Sequence, residues 1–199
     1  MIVIVDYGMG NLHSVYKAFK RLNAKVIVSS SPKDIEKADK IVLPGVGHFK
    51  KGMEHLRSLK LIPVLNKKVL EEKTPILGIC LGIQLFTNHS EEGDVPGLSW
   101  IDAGTIKLNN KLKIPHMGWN SIRIKKQNPL FSGIDSEKQF YFVHSYHVVP
   151  KDKSIISTTV NYGIEFVSSI HKENIFGVQF HPEKSHSAGL SLLKNFINL

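Results

Sequence analysis

Short apolar runs alternate with amphipathic stretches through the N-terminal part of this chain, and few folds accept that alternation. Residues 2–5 (IVIV) form the first run; after DYGMGN, Leu12, Val15, Tyr16, Phe19 and Leu22 recur at helical spacing. Residues 25–29 (KVIVS) predict a second strand, 32–38 a short helix, and 40–43 (KIVL) a third strand stopped by Pro44-Gly45. Residues 56–72 predict a helix broken near Pro63, leading to a fourth strand over 75–79. Apolar strands separated by helical patterns belong to a parallel sheet covered on both faces, because each crossover lays a helix over the sheet.

Beyond residue 99 the pattern changes. WIDAGTIKL, NSIRIKK, QFYFVHSYHVV, SIISTTV, EFVSSIHK and NIFGVQF are strand-like with short turns between them, which predicts mixed or antiparallel pairing before a last helix over 187–197. No internal repeat, linker or low-complexity segment interrupts the chain. Its 199 residues suffice to bury an apolar core without disulfides or structural metal. The expectation is one α/β domain over residues 1–199: a central, mostly parallel sheet flanked by helices, with some antiparallel strands in the second half.

A single cysteine cannot form an internal disulfide, so nothing asks for an oxidising compartment and a cytoplasmic location is expected. MIVIVDYG lacks the basic segment of a signal peptide, and its apolar run ends at Asp6. No apolar stretch approaches bilayer length, so no membrane role is expected. The formal charge of +9 and pI near 9.5 raise nucleic acid as a partner. The lysines, however, are scattered in ones and twos from Lys17 to Lys194, and arginine occurs only at Arg21, Arg57 and Arg123. That is the pattern of a solvated basic surface, and no nucleic-acid partner is expected.

Gly78-Ile79-Cys80-Leu81-Gly82 joins the fourth predicted strand to residues that can open a helix. This is the G-x-nucleophile-x-G pattern of a nucleophile elbow, with Cys in place of Ser. A sharp strand-to-helix turn strains the nucleophile's backbone and brings neighbouring segments close, which side chains at 78 and 82 would block. The helix N-terminus supplies positive potential that favours a thiolate, and the Leu81 N–H is free for an oxyanion. Cysteine is also common in cores and glycine near strand ends, so the pentapeptide alone leaves nucleophile and core thiol both open.

A thiol nucleophile needs a base, and the base needs an orienting group. Of the ten histidines, most sit in contexts that read as surface or loop; His181 stands apart. Pro182 excludes helix and pushes His181 towards an extended backbone, where Glu183 projects on the same side as the imidazole and can hold its tautomer. Cys80, His181 and Glu183 thus fit a triad, although H-x-E after a strand also fits an ordinary surface histidine. His144-x-x-His147 and His181 with His186 come nearest to metal-ligand spacing. No second cysteine, HExxH or carboxylate cluster accompanies them, and no metal is expected.

Pro44-Gly45-Val46-Gly47 follows the third strand, at the carboxyl end where parallel sheets bind ligands. Glycines around Val46 leave that peptide free to turn an N–H towards an oxyanion, and a simple turn fits PGVG equally well. Neither DYGMGN nor GVGHFKKG completes a phosphate-binding G-x-x-x-x-G-K-[ST] loop.

In combination, PGVG, GICLGIQ and GVQFHPEKS, in that order along the chain, resemble the class I (triad) glutamine amidotransferases over nearly the whole length. DYGMGN, IPHMGWN, YFVHSY and HPEKS narrow the resemblance to the glutaminase subunits of imidazole glycerol phosphate synthases. The resemblance implies that Cys80 attacks the side-chain carboxamide of glutamine, that His181 moves the proton to the departing ammonia, and that Glu183 fixes the imidazole. It implies an oxyanion hole from the Leu81 N–H and the Val46/Gly47 peptide. It also implies glutamine contacts from Gln84, Ser145 and Tyr146, with Glu92 a weaker candidate for the amino group. No cofactor is implied. Ammonia needs an acceptor, and the family's partner is a (β/α)8-barrel cyclase, giving a heterodimer. Asn11, Trp119 and Lys184 match positions near the docking face; an aromatic among polar residues suits an interface anchor, while a Trp in a turn is also often core.

Three rival readings remain at this level. Paralogous glutaminase and cyclase-like pairs supply ammonia to other acceptors, including sugars of surface glycans. A free-standing Cys-His hydrolase would be active without a barrel. A non-catalytic basic binding module would not need Cys80 at all.

Overall fold

The structure, a computed structural model, describes residues 1–136 and 138–199. Strands β1 (Ile2–Val5), β2 (Val26–Ser29), β3 (Lys40–Gly45) and β4 (Ile76–Cys80) are separated by helices α1 (Leu12–Arg21), α2 (Pro32–Glu36), α3 (Phe49–Ser58) and α4 (Leu61–Asn66). Helix α5 (Leu81–Leu85) follows β4 directly, then come β5 (His89–Ser90), β6 (Val95–Pro96) and β7 (Ala103–Lys107). The chain continues through β8 (His116–Ile124), β9 (Gln139–His144), β10 (Tyr146–Pro150), β11 (Ile156–Tyr162), β12 (Ile164–Lys172) and β13 (Ile175–Val178) to α6 (His186–Ile197).

Among the described residues the larger sheet runs β2-β1-β3-β4-β13-β12-β11-β8-β9. Its first five strands are parallel. The rest pair antiparallel, as the change of pattern in the second half predicts. A smaller sheet is ordered β10-β7-β5-β6. Every residue of β1 is buried. Ile2 and Ile4 meet Phe19 and Phe196 on one face, while Val3 and Val5 meet Phe49, Leu56 and Leu81 on the other, because alternate residues project to opposite faces. Covering on both sides is why IVIV carries no polar position.

Local boundaries differ from expectation for physical reasons. The helix expected over 56–72 starts at Phe49 and breaks at Lys60, which has φ 54, and not at Pro63. Pro63 lies in the first turn of α4, where a helix makes no use of the missing N–H. A π turn, Lys67–Glu71, follows. β3 runs on through Pro44-Gly45: pairing with β1 ends at Val42, so no strand asks for a donor at Pro44. QFYFVHSYHVV is not one strand; β9 joins β8 in the large sheet and β10 joins β7 in the small one, with Ser145 between them. Trp119 is in β8, opposite Tyr141, and not in a turn. His116, His144 and His147 are buried, and His144 closes β9 as a strand residue packed in the core.

Candidate active site

Parallel register aligns Gly45 with Cys80 and Val178 with Ile79, so residues 45–47, Cys80 and residues 179–183 emerge side by side at the carboxyl ends of β3, β4 and β13. Cys80 has φ 54 and ψ −105, a backbone that L residues avoid and that a packed turn must enforce. The flanking glycines show how. A Cβ at Gly82 would lie 1.8 Å from the Leu43 carbonyl oxygen, and one at Gly78 would lie 2.6 Å from the Phe86 ring.

His181 follows β13 with φ −102 and ψ 94, and its imidazole is buried. Its segment is clamped from both sides: His181 N–H donates to Tyr141 O at 2.8 Å, and Ser185 Oγ donates to His181 O at 2.6 Å while accepting from Tyr141 N–H at 3.0 Å. Nδ1 donates to Glu183 Oε1 at 2.8 Å, which leaves Nε2, buried without another hydrogen-bond partner, as the nitrogen that answers to Cys80. Burial works against the charged imidazole, but the Cys80 sulfur and then the Glu183 carboxylate outweigh it and raise its pKa to about 10.

A cavity of about 400 Å³, in the range that holds a small polar molecule, opens in front of Cys80. Val46, Gly47, Leu81, Gln84, Glu92, Ser145 and Tyr146 all line it, together with Pro115, Val143 and His144. Glu92 Oε2 accepts from Phe49 N–H at 2.7 Å at the start of α3. Gln84 is not a free arm: its Nε2 donates to Tyr146 O at 3.0 Å and to Gln179 Oε1 at 3.1 Å.

Behind this wall the histidines form a line. Tyr146 O accepts from His144 Nδ1 at 2.9 Å, so His144 Nε2 is an acceptor and receives a hydrogen bond from His116 Nδ1–H at 3.1 Å. His116 Nε2 in turn accepts from Asn120 Nδ2 at 3.3 Å. Burial lowers the pKa of His116 to about 4 and of His144 to about 3, keeping both neutral as this sequence of bonds requires.

The residues expected at a docking face sit on the surface beside this site. Trp119 is 43% exposed and stacked on His186 at 4.8 Å, with its ring edge-on to Tyr141; Lys184 Nζ stands 5.6 Å above the same tyrosine ring. Asn11 caps α1, its side chain accepting from Ser14 N–H at 3.2 Å. Ser14 shares a groove with Glu183 and Lys184. Sequence reasoning did not single out Gln179, Ser185, His116 or Tyr7. Gln179 left a trace, as a polar residue in the apolar run IFGVQF; Tyr7, whose buried hydroxyl fills the space a Cβ on Gly45 would need, left none. Among the described residues no cluster of His, Cys, Asp or Glu is arranged to hold a metal, and no helix is long and apolar enough to cross a membrane.

The family described as glutamine amidotransferase class-I matches residues 3–199. Imidazole glycerol phosphate synthase subunit HisH 2 of Methanococcus maripaludis is 52% identical over 199 residues, covering 99% of this chain and 98% of that protein. Subunit HisH 1 of Campylobacter jejuni is 51% identical over 202 residues, covering 100% of both. A solved glutamine amidotransferase shares the fold with a TM-score of 0.76 at 15% identity, each chain fully covered. With a cysteine elbow, a buried His–Glu pair behind it and these full-length likenesses, the chain belongs to the class I glutamine amidotransferases, among the HisH subunits of imidazole glycerol phosphate synthase.

Proposed function

We propose that this chain is the glutaminase subunit of an imidazole glycerol phosphate synthase, with Cys80, His181 and Glu183 as its triad. The observation that carries the reading is the strained Cys80, at the edge of a cavity, facing an imidazole whose far nitrogen is held by Glu183. The Cys80 thiolate attacks the side-chain carboxamide carbon of glutamine. The oxygen takes up the negative charge and is met by the Leu81 N–H and by the Val46/Gly47 peptide. The His181 imidazolium gives its proton to the leaving nitrogen, releasing ammonia and leaving a γ-glutamyl thioester. Water, deprotonated by the now neutral imidazole, attacks the thioester carbon; glutamate leaves and the thiolate returns. Gln84, Ser145 and Tyr146 hold the amino-acid end, and Glu92, anchored by one oxygen to α3, offers the other to the ammonium group.

The ammonia passes to a (β/α)8-barrel cyclase subunit, which uses it to make imidazole glycerol phosphate and aminoimidazole carboxamide ribotide in histidine biosynthesis, in the cytoplasm. Trp119, Lys184 and Asn11 mark the face that meets this subunit. The test is glutamate release by the chain with its co-encoded barrel protein and the acceptor. Release that disappears in Cys80→Ala supports the reading, and release that survives Cys80→Ala sinks it.

A second reading keeps the chemistry and changes the acceptor. It is favoured by the numbered names of the relatives, HisH 2 and HisH 1, since numbers are needed where more than one such subunit exists. Under it the partner would aminate another acceptor, such as a surface sugar. Glutaminase activity stimulated by a sugar acceptor and not by the ribulosyl carboxamide intermediate would select it.

A further inference from the structure

We infer that Gln179 is a further catalytic residue, the side-chain N–H donor that holds the Cys80 thiolate. The inference rests on the reading of Cys80 as the nucleophile.

Gln179 directly follows β13 and is fully buried, where a carboxamide is tolerated only with its polar atoms paired. Its Nε2 stands 3.7 Å from Cys80 Sγ, and its Oε1 stands 3.1 Å from Gln84 Nε2. The surroundings dictate which end faces the sulfur. Tyr146 O is a carbonyl and can only accept, so Gln84 must turn its NH2 group towards it. That same NH2 group faces Gln179, which must answer with its oxygen, and the Gln179 NH2 group is thereby aimed at Cys80. The orientation is set further back as well, because His144 Nδ1 donates to the same Tyr146 carbonyl.

Sulfur has one opposing neighbour. Cys80 Sγ lies 3.8 Å from Val143 O, which suits a protonated thiol donating to that carbonyl. Once the proton leaves, the carbonyl dipole repels the sulfur and the Gln179 N–H attracts it, so Gln179 acts on the thiolate side of the equilibrium. The other groups facing the sulfur are few. His181 approaches from beyond β13, and Tyr7 from the end of β1; the tyrosine keeps its proton, since burial and then the Cys80 charge raise its pKa. His144, on β9, is neutral, and Glu92 lies at the cavity wall with one oxygen held by α3. His181 supplies the charge, and Gln179 supplies a fixed donor whose aim does not depend on pH.

Gln179→Met keeps the length and removes both polar atoms. The chain's sole cysteine makes alkylation by iodoacetamide a direct reading of the Cys80 thiolate by intact mass. The expected result for the full chain is an alkylation rate about tenfold lower than wild type at neutral pH, with the deficit closing as the pH is raised. In the complex with the barrel subunit, kcat for glutamate release falls by about the same factor with KM nearly unchanged. An unchanged rate at neutral pH overturns the inference. So does a deficit that persists at high pH, which would mark a distorted pocket and not a missing donor. If Gln179→Met does not fold, wild-type chain labelled with 15N-glutamine decides: the Gln179 side-chain N–H signals move in step with Cys80 deprotonation, or they stay fixed and the inference fails. Glutamate release independent of Cys80 would instead sink the glutaminase reading, and leave the alkylation result standing.

Discussion

Glu183 Oε1 lies 2.8 Å from His181 Nδ1, and both side chains are almost wholly withdrawn from solvent, 2% and 3% exposed. Two residues apart on an extended segment, they form a pair that local geometry alone brings together.

Replacing that carboxylate with an amide tests its charge. His181 holds its proton up to about pH 10 because Cys80 and Glu183 overcome burial. A raised pKa means the imidazolium is intact below it and lost as pH rises through it, so Glu183→Gln moves the loss to lower pH. The alkaline limb of the glutaminase profile shifts down, and kcat falls about a hundredfold or more. A pH–rate profile of the variant complex that superimposes on wild type would contradict this.

Gly82→Ala breaks the elbow. The added Cβ would meet the Leu43 carbonyl oxygen at 1.8 Å, and that atom belongs to β3, which has no slack. Urea denaturation should show a loss of about 3 kcal/mol or failure to fold. Gly104→Ala is the comparison: its nearest neighbour would be Ile106 Cγ2 at 4.0 Å, and the change should stay within about 0.5 kcal/mol.

Acid should unfold this protein partly through its neutral histidines. His116 and His144 have folded pKa values lowered to about 4 and about 3, so as pH falls below about 6.5 the unfolded chain takes up protons that the folded chain refuses. Stability is lost over that window, on the order of 3 kcal/mol for each histidine by pH 4. His116→Phe keeps a ring against Phe142 and Tyr162, and urea titrations at several pH values should show a shallower acid slope in this variant.

Trp119 tests the docking face. A half-exposed indole stacked on His186 is pre-positioned, and such aromatics anchor interfaces. Trp119→Ala should weaken binding to the proposed barrel subunit by about 2 kcal/mol, roughly thirtyfold, in titration calorimetry. Affinity within about twofold of wild type would place the interface elsewhere.

How much of this was legible in the chain varies by element. The parallel half of the sheet was, because strands buried on both faces must be apolar throughout and the intervening helices show their period. The Cys80 turn was legible as a shape, since residues 78 and 82 must be glycine where Phe86 and the Leu43 carbonyl come so close. His181 and Glu183 were legible as neighbours of each other. The break at Lys60 was not, because a lysine in the left-handed region leaves no mark comparable to a proline.

What residues 1–199 determined by themselves is the sequence of local conformations: strand, tight turn, helix, and an extended His-x-Glu. Tertiary structure decided the rest. β13 settles beside β4 in parallel register, which carries His181 and Gln179 to Cys80 across most of the chain. Ser145 divides one apolar run between two sheets, exposing the Tyr146 carbonyl that orients Gln84 and, through it, Gln179. Periodicity encodes which side of an element is apolar, but not which distant element will cover it. An amide's direction is fixed only when buried donors and acceptors must all be matched at once.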